Sequence, residues 1–595
     1  MMVEDPLSLS GKRWKPRAQV EPWHQQVVAD MGLAVHFGPI VASRGLDTRE
    51  EVEGFLTPRL KQLADPLDIL GMPEAVARLA RAVMEAESIA IFGDYDVDGV
   101  TSSALLVRYF RALGRQVRPY IPNRLTEGYG PNPEAMKLLA EEGVQVVITV
   151  DCGIAAVEAL EVAADLGLDV IVTDHHQALD ELPKAVAIID PNRPGDSFPH
   201  KELAGVGIAF YLTMALNREL RSQNWFGDNQ PEPDLRTLLD LVAVGTIADI
   251  APLTGLNRPL VAMGLKLAEQ NANVGLNALI ERAKVRMPLT AGSVGFHLGP
   301  RINAGGRLGD GGVGLELLST ENETLAQEIA EQLEAANRER RAIEDRILAE
   351  AMAWVEDEKL DESHRGLVLA REGWHPGVVG IVASRIAERF HRPTIVIALD
   401  EKGEGKGSGR SISGVDLLSA IQAAETHLIG FGGHRAAAGV TIAKENVDGF
   451  REVFDQALRE NNPPEMFHPT LVVDTSLPPS QANRAVVEGL SRLHPFGRGN
   501  PEPIFILERV RVVASRALKD RHVKCRLLGA KGLNLDAIAF RILPGPLGEG
   551  LMQGGEMDVA GTLSINHFQG RETIQFNVKD ARWSAPGSGK GGRRR

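Results

Sequence analysis

The first half of the chain contains five short apolar runs, and each leads into a cluster of acidic, imidazole or amide side chains. Four runs have the length of buried strands, and the fifth, residues 238–244, is helix-like. Helical segments separate the strand-like runs, and this alternation predicts a parallel α/β sheet of the doubly wound kind. Because the carboxyl ends of parallel strands form one crevice, we expect the clusters to meet there. They occupy residues 94–99, 151–153, 174–176, 190–192 and 245–249.

So many carboxylates at one sheet edge would repel one another unless cations lay between them. Carboxylate oxygens with one or two histidines suit Mg²⁺ or Mn²⁺. Two such ions, about 3.5–4 Å apart, could bridge through Asp151, polarise a phosphate and activate water at neutral pH. The sequence therefore predicts a centre for two divalent metal ions, Mn²⁺ or Mg²⁺.

The first cluster also matches the opening of a calcium-binding EF-hand loop. That loop needs a bidentate Glu at its twelfth position, where this chain has Leu105, and it follows a helix rather than an apolar strand. We therefore reject this interpretation. An Asp-rich helix N-cap would explain only one carboxylate. Alternation along an extended turn would instead point Asp94, Asp96 and Asp98 to similar sides.

Composition excludes several classes of protein. A chain of 595 residues predicts three or four domains. Cys152 and Cys525 are the only cysteines, which excludes a disulfide framework or a cysteine zinc site and fits a reducing cytoplasm. No apolar run reaches about 18 residues, and residues 1–17 contain no apolar signal core, so we expect neither membrane insertion nor secretion.

The net charge of −14 argues against a nucleic-acid partner when it is taken alone. Local patches rather than the total charge determine binding, however. Residues 516–526 are basic apart from Asp520, and the Gly-rich tail 590–595 is also basic. For the tail, DNA contact and solvated surface are equal alternatives. Within residues 516–526, the side chains that we expect to bind nucleic-acid phosphates are Arg516, Lys519, Arg521, Lys524 and Arg526.

Periodicity and turn residues divide the chain into six parts. The first is an irregular arm with short helices, and the second is the α/β domain described above. Residues 324–355 then predict a single helix roughly 45 Å long, which we expect to connect domains. A second α/β domain follows, and the five short strands after it are compatible with an OB-type β-barrel. The predicted parts are residues 1–60, 61–290, 291–360, 361–460, 461–583 and the basic tail 584–595.

Several motifs, in this order along the chain, resemble those of the DHH phosphoesterase superfamily. In the first half these are residues 94–99, 151–153, 174–176 and Asp249. Further on, residues 375–381, 407–411 and 432–439 resemble the companion DHHA1 domain, and residues 495–501 resemble the entrance to an OB domain. The resemblance covers roughly residues 60–580. It implies a metal-dependent 5′→3′ exonuclease that hydrolyses single-stranded DNA in DNA repair and recombination.

Carried over position by position, the resemblance also implies roles for single residues. His176 would contact the scissile phosphate or orient its neighbours, and Asp98 would lie near the metal ligands, so both are candidate catalytic residues. Metal ligation is implied for Asp94, Asp96, Asp151, His175 and Asp249. Substrate contacts are implied for Arg301, Asn303, Arg307, Ser408, Arg410 and His434, with Ser408 and Arg410 at the 5′ end. For residues 301–307, a Gly-rich turn with its arginines in salt bridges is the alternative.

Two alternative functions differ in what they require. A DHH phosphoesterase acting on short oligonucleotides or nucleotides would need only the two α/β domains. A non-catalytic single-strand-binding scaffold would not need the full metal set. We expect the α/β domains to face each other across a groove too narrow for duplex DNA. We also expect a cytoplasmic monomer without a membrane partner, with a single-strand-binding protein and a helicase as candidate protein partners.

Overall fold

The computed structural model describes residues 7–584 except 19, 125, 271–272, 309–310, 533 and 569–570, and excludes the side chains at 307, 308, 531 and 568. The chain forms two compact units. The central unit comprises Thr57–Ile343 and Pro495–Pro501, and the composite unit comprises Met1–Leu56, Glu344–His494 and Glu502–Arg595. Among the described residues, no helix is long and apolar enough to cross a membrane. The basic tail, from residue 585, lies outside the described residues.

The N-terminal part of the composite unit consists of β1 (Arg13–Pro16), α1 (Pro22–Asp30), α2 (Gly38–Ala42) and α3 (Arg49–Leu56). Strand β1 pairs in parallel with residues Thr470–Val473. The indole nitrogen of Trp14 donates to buried Asp580 at 2.9 Å, and Arg17 pairs with Asp474 at 2.8 Å. The segment expected to be an irregular arm does contain short helices, but it is bound into the C-terminal part of its unit.

A five-stranded parallel sheet organises the central unit, in the order β3-β2-β4-β5-β6. Alternate residues of its strands enter two different apolar cores, for example Ile91 and Ile148 on one face and Phe92 and Val147 on the other. Both faces are therefore covered, as a doubly wound sheet requires. The strands are β2 (Ile89–Gly93), β3 (Arg118–Tyr120), β4 (Val146–Val150), β5 (Asp169–Thr173) and β6 (Ala187–Ile189).

Helices flank this sheet and continue beyond it. Those that precede or connect the strands are α4 (Met72–Glu85), α5 (Val97–Ala112), α6 (Pro133–Glu141) and α7 (Val157–Asp165). After the sheet come α8 (Gly205–Ser222), α9 (Leu239–Ala248), α10 (Asn257–Ala268), α11 (Val274–Arg282), α12 (Ala291–Ser293), α13 (Gly299–Leu308) and α14 (Gly312–Ser319). Helix α9 is apolar on nearly all sides and buried, as a core helix should be.

The predicted long helix is α15 (Glu323–Asp357), whose 35 residues span about 52 Å. Its first part belongs to the central unit, and the part from Glu344 onwards belongs to the composite unit. The short helix α16 (Leu360–Ser363) follows. A helix thus connects the two parts of the chain, as its unbroken run of helix-forming residues predicts.

The second α/β domain contains a sheet in the order β10-β11-β9-β8-β7, in which only β7 and β8 are parallel. The apolar runs at residues 367–370 and 394–398 predict only the two parallel strands. Strand β9 was missed because it is rich in glycine, which favours strands poorly. A Cβ at Gly407 would lie 2.6 Å from Val440 and 2.8 Å from Ile397, so bulky neighbours occupy that space. The elements are β7 (Leu367–Glu372), α17 (Val379–Phe390), β8 (Thr394–Leu399), β9 (Glu404–Arg410), α18 (Leu417–Ala423), β10 (Gly430–Gly433), β11 (Ala437–Ala443) and α19 (Val447–Asn461).

The C-terminal region is a closed barrel. Its sheet order is β13-β14-β15-β16-β18-β17, and β17 also pairs with β14, which closes five strands on themselves. The elements are β12 (Thr470–Val473), β13 (Thr475–Ser476), α20 (Arg484–Ser491), β14 (Phe505–Leu518), β15 (His522–Leu528), β16 (Asn534–Ala539), α21 (Pro546–Gln553), β17 (Gly555–Phe568) and β18 (Arg571–Trp583). The predicted fold class, two α/β domains joined by a long helix and followed by a barrel, is confirmed.

Candidate metal centre

The carboxyl edge of the central sheet gathers the polar clusters. Asp94 follows β2, Asp151 follows β4, and Asp174, His175 and His176 follow β5. The side chains of Asp94, Asp151 and Asp174 are almost completely buried. Asp249 is the C-cap residue of α9 and reaches the cluster from the helical layer. The expected meeting of these residues at one edge is what the structure shows.

The loop between β2 and α5 differs from the expected extended turn. Asp96 is the N-cap of α5, and its carboxylate accepts hydrogen bonds from the amides of Asp98 (2.8 Å) and Gly99 (3.2 Å). The chain is therefore helical from Val97 onwards, and the three aspartates do not alternate along a strand. Gly99 is required here, because a Cβ would lie 2.4 Å from the carbonyl oxygen of Asp94.

Asp98 is a predicted catalytic residue, and the structure shows how its side chain is held. It is 1% exposed, and its two carboxylate oxygens accept hydrogen bonds from the amides of Gly205 (2.7 Å) and Val206 (2.8 Å). These amides begin α8, where a negative charge is favourable. Gly205 also lets the helix approach closely, since a Cβ there would lie 2.9 Å from the Asp151 side chain. Asp98 thus anchors the start of α8 and also belongs to the cluster, and its catalytic role stays a prediction.

Three groups of side chains bring ligand atoms within 4.8 Å of one another. Asp151 belongs to two of these groups, as a carboxylate that bridges two ions would. The predicted ligands are all included, together with Asp98 and His176. The groups are Asp94–Asp96–Asp151, Asp98–His175–Asp249 and Asp151–His175–His176.

Three of these atoms are buried without a hydrogen-bond partner among the described residues: Asp94 Oδ1, Asp151 Oδ1 and His175 Nε2. The Asp151 and His175 atoms lie 3.1 Å apart, yet their geometry does not form a hydrogen bond. Unpaired buried polar atoms are costly. Oxygen atoms with one imidazole nitrogen are suitable ligands for Mn²⁺ or Mg²⁺, so the residues fit the metals that the sequence predicts.

The electrostatics of the cluster indicate the same kind of ligand. Burial, followed by repulsion from neighbouring carboxylates, raises the pKa of Asp94 to about 8 and that of Asp249 to about 7. The same causes raise the pKa of Asp151 well above its usual value. Burial lowers the pKa of His175, which keeps its ring neutral and able to ligate. Cations would therefore compete with protons for these groups.

His176 is oriented by Asp174, a residue for which the sequence motifs predicted no separate role. The Nδ1 atom of His176 lies 2.7 Å from Asp174 Oδ1. Asp174 is itself fixed by the amides of Ile154 (2.9 Å) and His175 (2.8 Å). Burial disfavours the charged His176 ring, but the hydrogen bond and charge of Asp174 outweigh it and raise the pKa of His176 to about 9.

Two further residues support the site: Tyr129, for which the sequence carries no signal, and Asn192, which belongs to the predicted cluster 190–192. The hydroxyl of Tyr129, in the loop before α6, donates to the carbonyl oxygen of Asp151 at 3.1 Å and lies 3.3 Å from His176 Nδ1. The side chain of Asn192 donates to the carbonyl oxygen of His175 at 2.7 Å. Only the folded chain brings these residues together.

Residues 301–307 form part of α13, so the predicted Gly-rich turn is wrong in conformation. That alternative also places the arginines in salt bridges, and the structure shows one for Arg301. Arg301 is buried, and its Nε lies 2.5 Å from Glu334 while an η nitrogen donates to the carbonyl oxygen of His297 at 2.6 Å. The substrate contact implied for Arg301 stays a prediction, although part of its guanidinium is already hydrogen-bonded within the chain. Asn303 is half-buried, and the Arg307 side chain lies outside the described residues.

In the composite unit, Ser408 and Arg410 lie together on β9. An η nitrogen of Arg410 donates to Ser408 Oγ at 2.9 Å and to the carbonyl oxygen of Gly409 at 2.7 Å. Arg410 borders a cavity of about 300 Å³. A Cβ at Gly380 would lie 2.9 Å from Ser408 Oγ, so a larger residue would crowd the pair. We call Gly380, Ser408 and Arg410 the β9 site.

His434 follows β10 and is exposed. Its amide donates to the carbonyl oxygen of Ala437, whose backbone pairs with that of Arg410. His434 thus lies one strand away from the β9 site within the same sheet.

The basic residues of the barrel lie on the β14–β15 hairpin. Leu518 pairs with His522, so residues 519–521 form a three-residue hairpin loop, in which Lys519 and Asp520 have φ angles of 51° and 52°. Lys524 and Arg526 both lie near Asp536, at 3.5 and 3.6 Å. In the part of the chain that the structure describes, Arg516, Lys519 and Arg521 form no ion pair. The basic residues of the hairpin therefore divide into two that share one carboxylate, Lys524 and Arg526, and three that form no ion pair in the described structure.

Comparison with known proteins assigns this architecture. Family models match the DHH family N-terminal domain at residues 88–246, the DHHA1 domain at 364–460 and the RecJ OB domain at 473–580. The chain is 39% identical over 579 residues to the single-stranded-DNA-specific exonuclease RecJ of Bacillus subtilis, covering 95% of this chain and 71% of that protein. The chain belongs to the RecJ family. The Escherichia coli RecJ exonuclease is 38% identical over 580 residues, covering 94% of this chain and 99% of that protein.

Solved RecJ structures agree with this assignment. RecJ of Thermus thermophilus in complex with Mn²⁺ has a TM-score of 0.79 and 32% identity, covering 98% of this chain and 81% of that one. The Mg²⁺ complex of RecJ from the same organism has a TM-score of 0.75 and 30% identity, covering 96% and 79%. The predicted family is confirmed, and the predicted metals are those bound in these RecJ structures.

Proposed function

We propose that this protein is a divalent-metal-dependent exonuclease that hydrolyses single-stranded DNA from the 5′ end. The observation that carries the proposal is that Asp151 belongs to two ligand groups, which together hold three buried atoms without a hydrogen-bond partner among the described residues. The RecJ relatives, which are named single-stranded-DNA-specific exonucleases and are solved with Mn²⁺ or Mg²⁺, support the substrate and the metals.

Five residues would hold two ions: Asp94, Asp96, Asp151, His175 and Asp249. When bound, the ions would supply positive charge that polarises the scissile phosphate and lowers the pKa of the attacking water. Asp98 keeps α8 in place behind them through its two backbone hydrogen bonds. The helix in turn keeps Gly205 against Asp151, so the bridging carboxylate retains its orientation.

His176 would act on the phosphate directly. Because Asp174 accepts the hydrogen bond of Nδ1, the Nε2 atom is left to donate to a phosphate oxygen. The raised pKa of His176, about 9, keeps the ring protonated at neutral pH. A charged donor of this kind would stabilise the negative charge that develops on the phosphate.

The β9 site would hold the 5′-terminal phosphate, which sets the polarity of degradation. Arg410 presents a planar fork of donors that matches phosphate geometry, and Ser408 adds a hydroxyl beside it. His434 and Asn303 remain candidate substrate contacts. Arg516, Lys519 and Arg521 would bind phosphates of the strand further from the cut.

Several finer proposals follow from the family. We place the enzyme in the cytoplasm as a monomer that acts in DNA repair and recombination, with a single-strand-binding protein and a helicase as partners. Activity restricted to short oligonucleotides is the first alternative, and the match to a RecJ OB domain argues against it. A non-catalytic scaffold is the second, and the full set of ligands argues against that.

One experiment tests the proposal and both alternatives. Purified protein with Mn²⁺ or Mg²⁺ is given single strands labelled at either end, blunt duplex and dinucleotides, with EDTA as a control. Progressive loss of single strands from the 5′ end supports the proposal. Cleavage of dinucleotides alone would favour the first alternative, and binding without cleavage would favour the scaffold.

A further inference from the structure

A loop from the distal part of the sequence belongs to the central unit. Residues Pro495–Pro501 are counted with Thr57–Ile343 rather than with the residues on either side of them in sequence. Gly497 and Asn500 exchange two backbone hydrogen bonds, of 2.9 and 3.1 Å, and the buried Asn500 side chain donates to the carbonyl oxygen of Pro495 at 2.8 Å. The loop is thus a preformed hairpin with Arg498 at its tip. We call it the Arg498 loop.

The Arg498 loop packs on the segment that follows Asp249. The amide of Leu253 donates to the carbonyl oxygen of Arg498 at 2.8 Å. A Cβ at Gly497 would lie 2.7 Å from Leu253 Cδ1. Gly499 has a φ of +75°, and a Cβ there would lie 3.0 Å from Thr254 Cγ2. Both glycines therefore permit a contact that brings the loop within a few residues of a predicted metal ligand.

The side chain of Arg498 remains exposed at this contact. Its η nitrogen lies 3.5 Å from the carbonyl oxygen of Ile250, the residue after Asp249. Within the described part of the chain it forms no ion pair with a carboxylate. Its positive charge nevertheless acts on Asp249 and lowers the pKa of that carboxyl, against the larger raising effects of burial and Asp96. Arg498 is therefore a cation beside the metal centre with most of its donors unused.

We propose that Arg498 is a substrate-binding residue of the metal centre, which donates to a phosphate oxygen of the DNA strand on the Asp249 side. An exposed guanidinium can donate two parallel hydrogen bonds to a phosphate. The surrounding carboxylates would repel a phosphate, and Arg498 offsets that repulsion at the point where the strand enters. The central unit would therefore obtain part of its substrate site from residues more than 240 positions after Asp249.

This inference rests on the proposed function, so its test compares variants with a wild-type protein whose cleavage is measured first. The variants are Arg498→Ala and Arg498→Lys. The control is Arg236→Ala, which removes an exposed arginine of the same unit. Arg236 precedes α9 and Asp249 follows it, so the control lies at the opposite end of this helix from the metal centre. Three quantities are measured: kcat/KM on single strands, Mn²⁺ affinity by titration, and the salt dependence of binding to a strand protected by 5′ phosphorothioates.

Arg498→Ala is expected to lower kcat/KM roughly 10- to 100-fold, the value of a lost charged hydrogen bond. The slope of log affinity against log salt should fall by about 0.7, one phosphate contact. Mn²⁺ affinity should not fall, because removal of a neighbouring positive charge does not weaken the binding of a cation. Arg498→Lys should restore the slope but only part of kcat/KM, because lysine lacks the planar fork.

Two results would overturn the inference. Arg498→Ala behaving like Arg236→Ala would remove any role for the guanidinium. A loss of Mn²⁺ affinity with an unchanged salt slope would make Arg498 a support for Asp249 and not a substrate contact. Absence of cleavage by the wild type would instead refute the proposed function, so the two failures are distinguishable. Because Arg498 is exposed, folding is checked simply by comparing thermal unfolding with that of the control.

Discussion

The metal centre of the central unit and the β9 site of the composite unit both consist of polar side chains, but their polar atoms are satisfied to different degrees. In the metal centre, three buried ligand atoms have no hydrogen-bond partner among the described residues. In the β9 site, Arg410 already donates to Ser408 and to a backbone carbonyl oxygen. The buried atoms of the metal centre would be unfavourable without cations. The polar atoms of the β9 site are instead satisfied by hydrogen bonds within the chain. Changes in the first should therefore affect both stability and chemistry, and changes in the second should affect substrate preference only.

The largest effect is expected from Asp151→Asn. The variant loses a bridging oxygen ligand, so turnover should fall by about 10³-fold or more. Like-charge repulsion is also relieved, so without metal the variant should unfold at a higher temperature than the wild type. Activity and thermal unfolding in EDTA provide the two measurements. Asp240→Asn is the matched control, because Asp240 is fully buried with a raised pKa of about 6 but belongs to none of the ligand groups. Near-normal turnover of Asp151→Asn would refute the two-metal assignment.

The second-largest effect is expected on the pH dependence of stability, which should distinguish the metal centre from the β9 site. Without metal, the pKa values of Asp94 (about 8) and Asp249 (about 7) are raised by burial and repulsion above the usual 3.8. The folded protein then holds protons that the unfolded chain releases, so stability falls as pH rises through the range of about 6 to 9. His176, with a pKa raised to about 9, acts in the same direction. The loss should be on the order of several kcal/mol for the group as a whole.

Saturating Mn²⁺ should reverse this trend, because the ions bind the deprotonated ligands. Urea unfolding at pH 6, 7.5 and 9, in EDTA and in Mn²⁺, measures both slopes. Asp94→Asn in EDTA serves as the internal control and should flatten the curve. A metal-free protein that becomes more stable between pH 6 and 9 would contradict the assignment of repulsion to this cluster.

How much of the fold and of the metal centre could be predicted from the sequence depends on the residues involved. Strands β2 and β4 were predicted because their valines, isoleucines and phenylalanine form buried runs, and their ends located the ligands. Strand β9 was missed because its glycines carry no such signal. The N-cap position of Asp96 was also missed, since a cap and an extended turn share the same residue types.

Contacts between distant parts of the sequence were not predictable from pattern. Asp174 and Tyr129 support His176 only because the fold places them there. The motif at residues 495–501 was noticed as the entrance to an OB domain, yet its packing beside Asp249 is visible only in the structure. Arg301 has a residue type suited to phosphate, but its pairing with Glu334 required the folded helix.

Substrate preference is the expected effect at the β9 site. A strand with a 5′-phosphate should be cut faster than one with a 5′-hydroxyl, and Arg410→Ala should reduce that preference by about 10-fold, the value of a charged hydrogen bond. Metal affinity and thermal stability should not change. Arg371→Ala, on β7 at the far edge of the same sheet, is the control. Degradation from the 3′ end, with Arg410→Ala equal to wild type, would refute both the polarity and the site.

The smallest effect is expected on the barrel hairpin, where the structure separates five basic residues that the sequence treated as one set. Lys524 and Arg526 share the single carboxylate of Asp536, so about half of their charge is offset before DNA arrives. Arg516 and Arg521 form no ion pair in the described structure and should each contribute one phosphate contact. Replacing both with Ala should reduce the salt slope of single-strand affinity by about 1.4, at about 0.7 each. Replacing Lys524 and Arg526 should change it less, because Asp536 already offsets part of the charge that these two residues would offer to phosphates. Equal slopes for the two double variants would show that the pairing with Asp536 does not matter, and an unchanged slope in both would show that this face is only solvated.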